Sequence, residues 1–353
     1  MKDFNKYVFI PSFSLEPNKV TSYNSVFVRD SNSNTIKSIH ECRSSRPEKF
    51  KNVTESNVVS RSSHNFSISD NAYRTLKRRI NWLYYLAKSK SVKTYSGKEI
   101  FNFKMGFITL TLPSKQLTCT KDVTKNLLNN FLTEIREKTG MENYVWRLEF
   151  QKNGNVHYHI VTDTYLDYFF ILKTWNRILK LNGYIDAFKA KFQDLTLSQY
   201  RDTVDKHHKT PFNLIAKRYA KAKASNWESP PSVDVKSVIS NQAISNYIAK
   251  YFGKTDGENP IANEFDNSEN SSNLRLWFCS RSLSKLKTIS NFCEAVVFDI
   301  FSIVSYSKKL RKVIGRYATS MYFDISSMRG NPRKWIETIL KDYSLRQGYI
   351  PAS

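Results

Sequence analysis

One stretch constrains the chain more than any other: VWRLEFQKNGNVHYHIV, Val145 to Val161, where two alternating runs meet at Asn153 and Gly154. Alternation of apolar and polar residues marks a half-buried strand, and Asn-Gly tolerates the positive φ that a right-twisted hairpin needs. Parity decides the register. A two-residue Asn153-Gly154 turn would set Phe150 opposite His157 and Leu148 opposite His159, mixing apolar and polar side chains on both faces. A three-residue loop of Asn153, Gly154 and Asn155 sets Gln151 opposite His157 and Glu149 opposite His159, and gathers Leu148, Phe150, Val156, Tyr158 and Ile160 on one buried face. That register is the expected one. It brings two imidazoles, a carboxylate and an amide together, with facing Cβ atoms about 5 Å apart, close enough to hold one divalent ion. An HxH pair alone arises often by chance; Glu149 and the hairpin give this one its weight. The set suits Mg²⁺ or Mn²⁺ with phosphate oxygens completing the shell.

Charge agrees with a phosphate-bearing ligand. The 353 residues carry 55 Lys and Arg against 31 Asp and Glu, a net +24. Solubility of a small domain needs a charge of only about 2 to 8, so a polyanion is expected, and nucleic acid is favoured over an anionic membrane surface. Cys42, Cys119, Cys279 and Cys293 show neither CxxC nor zinc-finger spacing and read as reduced thiols. The apolar run Tyr7 to Phe13 is broken by Pro11 and lacks a cleavage pattern, and Ala295 to Val304 contains Asp299 and is too short to span a bilayer. A cytoplasmic protein without a membrane partner is expected.

Residues 1–68, rich in Ser and Asn, read as a partly ordered basic extension with one short strand at Tyr7 to Ile10. A basic amphipathic helix follows Ser69, with Tyr73, Leu76, Ile80, Leu83, Tyr84 and Ala87 on its inner face and Lys77, Arg78 and Arg79 between them. Those cations suit a solvated face or a DNA contact equally. Phe107 to Leu112 reads as a strand beside the hairpin, Lys121 to Lys138 as a helix capped by Thr120 and stopped by Gly140, and Tyr165 to Leu181 as a helix closed by Asn182-Gly183. Residues 186–226 read as mostly helical and basic, with His207 and His208 in solvent, and Val233 to Val238 as a last short strand. This order predicts an α+β fold, a central antiparallel sheet flanked by helices, over 69–285. Phe298 to Val304 and Trp335 to Leu340 suggest helices in a C-terminal region, 286–353, of open role.

A second constellation lies in Ser240 to Lys254, SNQAISNYIAKYFGK, read as a helix. Tyr247, Lys250, Tyr251 and Lys254 stand at i, i+3, i+4 and i+7 and so share a stripe beside the apolar one of Ile244, Ile248 and Phe252. A phenol relieved of its proton is a nucleophile, and an ammonium beside it neutralises phosphate charge. Ordinary packing of Tyr251 with a wet hydroxyl fits that helix as well. Gly253-Lys254-Thr255 is not a P-loop, because no Gly lies five residues earlier and the triplet ends a helix.

Glu149, His157 and His159, the FITLT strand and YxxKYxxK at Tyr247 to Lys254 together resemble the HUH-superfamily rolling-circle replication initiators, most closely the microvirus type of single-stranded DNA phages and related plasmids. The resemblance runs from about Phe107 to Leu283. It implies a sheet with HxH on a central strand, His157 and His159 holding Mg²⁺ or Mn²⁺, and Glu149 as third ligand with Gln151 in reserve. It also implies a site-specific endonuclease: Tyr247 or Tyr251 attacks origin DNA, leaving a 5′-phosphotyrosine and a free 3′-hydroxyl, with Lys250 as catalytic lysine and Lys254 behind it. The partners implied are single-stranded DNA at a replication origin and, without a Walker A motif in this chain, a host helicase and polymerase. An HUH transposase or relaxase shares the chemistry, although a relaxase usually places its tyrosine before the histidines. A non-catalytic single-stranded DNA-binding module would need neither constellation.

Overall fold

The computed structural model describes residues 7–29, 36–38, 68–88, 90–93, 99–103, 105–151, 153–238, 274–291 and 294–351. In chain order the strands and helices are β1 (Tyr7–Glu16), β2 (Lys19–Arg29), β3 (Ile36–Ser38), α1 (Asp70–Leu86), β4 (Lys90–Lys93), β5 (Glu99–Phe103), β6 (Met105–Thr111), α2 (Thr120–Val123), α3 (Asn129–Thr139), β7 (Tyr144–Phe150), β8 (Val156–Thr162), α4 (Tyr168–Leu181), α5 (Tyr184–Phe192), α6 (Leu197–Val204), α7 (Phe212–Ala224), β9 (Val233–Val238), β10 (Trp277–Cys279), α8 (Arg281–Lys285), β11 (Ile289–Asn291), α9 (Glu294–Val304), β12 (Arg311–Ile314), β13 (Ala318–Tyr322) and α10 (Gly330–Arg346). The chain divides into two compact units, His64–Ser280 with Ile350–Ser353, and Met1–Ser63 with Arg281–Tyr349.

The first of these units is built on the antiparallel sheet β10-β7-β8-β6-β9, so the His-bearing strand β8 is central. Alternation gives the sheet two unlike faces. Ile108, Leu110, Trp146, Leu148, Val156, Tyr158 and Ile160 point to one of them and form a core with Val123, Leu127, Phe131 and Ile135 of the α2–α3 helix and Ile171, Trp175 and Ile178 of α4. Two bonds tie the helices to the site strands: Tyr158 and Thr124 hydroxyls meet at 2.8 Å, and Trp175 Nε1 donates to the Thr111 carbonyl at 3.1 Å. The opposite face is itself divided. Met105, Phe107, Val145 and Val161 are buried, and α1 packs against β7. The other half carries Thr109, Thr111, Glu149, His157 and His159.

The second unit holds another antiparallel sheet, β11-β1-β2-β13-β12, with β3 against β2. Leu15 and Val20, paired across β1 and β2, are fully buried, and α9 packs on β1. Among the described residues the fold is therefore α+β, with two large antiparallel sheets flanked by helices and a separate β4–β5 hairpin, where the sequence suggests a single sheet.

Several local expectations change. The N-terminal segment forms two long strands where the sequence predicts one short one, because their partners β11 and β13 lie far down the chain; Thr21 bonds Ser320 at 2.9 Å across 299 positions. Three strands also join the helices expected after residue 285. Thr120 is the first helical residue and Cys119 the cap, since the Thr120 hydroxyl instead accepts from Gln116 Nε2 at 3.1 Å. The helix passes through a π turn at Thr124–Leu128, and Gly140 ends it at φ 66°. Arg79 is buried, so it does not belong to a solvated face. His207 and His208 sit between helices, with His208 Nε2 2.7 Å from Asp202.

Candidate active site

The site half of the sheet face owes its geometry to the hairpin. The strands pair Glu149 with His157 and Arg147 with His159, a register two residues away from the expected one, and the loop runs from Gln151 to Asn155. Bonds inside the loop account for the difference: Gln151 N donates to the Asn155 carbonyl at 2.8 Å and Gly154 N donates to the Gln151 carbonyl at 2.9 Å, so the ladder stops at Phe150. Asn155 anchors that loop, its Oδ1 accepting from Gln116 N at 2.9 Å and its Nδ2 donating to the Ser114 carbonyl at 2.7 Å. A shift of two preserves parity, so the same side chains share each face. Leaning along the strands, the side chains also restore the expected neighbours: Glu149 Oε2 lies 2.8 Å from His159 Nε2, and the Gln151 amide bonds His157 Nε2.

The imidazoles are held from behind as well. His159 Nδ1 lies 3.2 Å from Thr109 Oγ1, and His157 Nδ1 lies 3.2 Å from Thr111 Oγ1. The two rings stack with centroids 5.7 Å apart, and Phe107 stacks on His159 at 5.8 Å. A carboxylate only accepts, so in this arrangement His159 Nε2 carries a proton toward Glu149. A hydroxyl can donate to Nδ1 or accept from Nδ1–H. Thr109 and Thr111 therefore orient the rings in either tautomer, including the one that frees Nε2 for an ion. Burial, and next the adjacent His159, push the His157 imidazole down to about 4, so it is neutral near pH 7.

These side chains line an open groove of about 540 Å³. Asp234 lies on the same wall, opposite Thr109 on β9, with Lys236 Nζ 2.7 Å from its carboxylate. Thr109, Thr111 and Asp234 escaped sequence reasoning; the polar phase of FITLTL and of VDVKSV was the available signal. Arg147, buried on the same face opposite His159, was missed too.

The donors fit a divalent ion by type, two imidazole nitrogens and a carboxylate oxygen. Among the described residues, however, no group of three or more His, Cys, Asp or Glu side chains is arranged to hold a metal. Glu149 faces His159, while Gln151 occupies the position beside His157. Tyr247, Lys250, Tyr251 and Lys254 lie outside the described residues. No helix among the described residues is long and apolar enough to cross a membrane.

No curated protein and no solved structure matches the chain. The family model described as replication-associated protein ORF2/gene 2 protein matches residues 105–256, a span that runs from β6 through the His hairpin and includes the Tyr-Lys stripe. Residues 105–256 are thus similar to this family of replication-associated proteins, which are replication-initiator-like proteins of the HUH type.

Proposed function

We propose that the chain initiates rolling-circle replication by cutting single-stranded origin DNA with a tyrosine nucleophile. The observation that carries this reading is the pair of stacked imidazoles, oriented by Thr109 and Thr111 and attended by Glu149 and Gln151 in an open polar groove. His157 and His159 would hold Mg²⁺ or Mn²⁺, with Glu149 as third ligand and Gln151 as the reserve. The bound ion supplies Lewis acidity toward the scissile phosphate.

The protein's own groups do the rest. The phenolic oxygen of Tyr247 or Tyr251 attacks phosphorus, releasing its proton to solvent or a nearby base. The bond from phosphorus to the 3′ oxygen breaks, and that oxygen takes up a proton. The 5′ end stays joined to tyrosine, and the free 3′-hydroxyl serves a host polymerase. Lys250 neutralises charge on the phosphate, with Lys254 the weaker candidate. Two phenols one helical turn apart can alternate, one holding the first end while the other cuts again. Attack of a 3′-hydroxyl on the phosphotyrosine then restores the phosphodiester and the phenol, closing a circle.

Cleavage and binding measured side by side test the reading. His157→Ala should abolish cleavage and leave salt-sensitive binding largely intact, because affinity comes mainly from phosphate contacts; loss of both together contradicts a dedicated metal role. Tyr247→Phe and Tyr251→Phe should each retain partial cleavage. If both single variants are inactive, the alternating scheme fails.

A further inference from the structure

We propose that the sheet of the other unit carries a second nucleic-acid site, a platform for unpaired DNA on β13, β12 and β2. It lies outside the family match and takes no part in the cleavage chemistry. The hairpin β12–β13 concentrates charge of one sign: Lys308, Lys309, Arg311, Lys312 and Arg316 occur with no acid between Lys308 and Tyr317. Lys309 lies 3.8 Å from Asp324, and the other four pair with no acid among the described residues.

Register places aromatic rings among these charges. Arg311, Tyr322 and Lys19 stand in one row across three strands, with the Arg311 guanidinium 4.8 Å and Lys19 Nζ 5.5 Å from the Tyr322 ring centroid. The next row on that face is Val313, Ser320 and Thr21, and Tyr23 opposite Ala318 follows. At the hairpin tip Tyr317 is 78% exposed, with the Arg316 guanidinium 5.2 Å from its ring. The buried residues Leu15 and Val20 belong to the other face.

Solvation alone would call for the cations and not for an exposed phenol beside Ile314, itself 73% exposed. Planar rings with guanidinium groups over them, joined by a lane of hydroxyls, suit stacked bases and a phosphate backbone. The hydroxyl lane is a poor match for a hairpin that inserts into lipid. The choice of DNA over RNA rests on the function proposed above; the platform itself does not.

Photocrosslinking tests the site directly. The full chain, in EDTA so that no strand is cut, is irradiated with labelled oligothymidine carrying a photoreactive base, and the adducts are mapped by peptide mass. Crosslinks to Tyr317 or Tyr322 are expected. Arg311→Ala/Arg316→Ala/Tyr317→Ala should weaken binding about tenfold or more and reduce the salt slope by about 1.4, the share of two phosphate contacts. Tyr317→Ser alone, at an exposed turn, repeats the measurement should the triple variant fold poorly. Origin cleavage is scored separately, so failure here leaves the nuclease reading standing, and the reverse. Crosslinks confined to 105–238 with unchanged affinity and slope overturn the proposal. So does equal competition by duplex DNA, or a defect of the variant confined to binding phosphatidylserine vesicles; equal competition by an RNA strand overturns the choice of DNA.

Discussion

At the residue scale the site is a division of labour between donors and orienting groups. His157 and His159 present Nε2 to the groove because threonine hydroxyls engage Nδ1, and the hydroxyl, unlike a carbonyl, tolerates both tautomers. Both histidines and both third-ligand candidates were legible from the sequence, since alternation alone puts them on one face. The threonines were not, because their role depends on which strand lies beside β8. Glu149 and Gln151 make opposite predictions. With Glu149 as third ligand, Glu149→Gln should raise the Mn²⁺ concentration for half-maximal cleavage about 10- to 100-fold, while Gln151→Ala changes it less than about threefold on the same scale. A metal titration of both variants checks this; the reverse order makes Gln151 the ligand.

At the element scale, local patterns were readable where partners are near in sequence and opaque where they are distant. The amphipathic repeat of Val123, Leu127, Phe131 and Ile135 and the alternation of FITLTL each reported their own burial. β1 and β2 pair with strands from the far end of the chain, so Ser- and Asn-rich residues that read as an extension become one wall of a sheet. The hairpin shows the limit more finely. Parity followed from the side chains, but the offset of two came with a loop closed at Gln151 and anchored through Asn155 to Ser114 and Gln116, a contact between loops. Asn155→Ala removes both bonds and leaves the buried Gln116 amide without this acceptor, so a loss of about 1–3 kcal/mol is expected in chemical denaturation. Cleavage should fall with it, since the loop sets the register that carries His157.

At the scale of the whole molecule, charge and stability are separable. The net +24 predicts salt-sensitive association with polyanions and says little about the fold. Stability instead responds to buried groups such as Asp163. Its Oδ2 accepts from Asn143 N at 2.9 Å and Nδ2 at 2.8 Å, while Oδ1 has no partner. Burial is the main cause that pushes this carboxyl up to about 6, against an ordinary 3.8. A carboxyl raised in the folded state contributes stability that is present below about pH 4 and lost as the pH rises through 6. The loss by pH 7 is of the order of 2–3 kcal/mol. Asp163→Asn, fixed neutral, should flatten unfolding free energy over that window; an unchanged slope assigns the dependence to other groups.

The central claim is that a tyrosine of the Tyr-Lys stripe acts at the His groove, and covalent trapping tests it most directly. The protein is incubated with labelled single-stranded DNA from its own replicon and Mn²⁺, denatured, and the adduct mapped by peptide mass. The account predicts DNA joined to Tyr247 or Tyr251, no adduct with EDTA, and none with His157→Ala. An adduct on another residue, or one indifferent to EDTA and to His157, would contradict it.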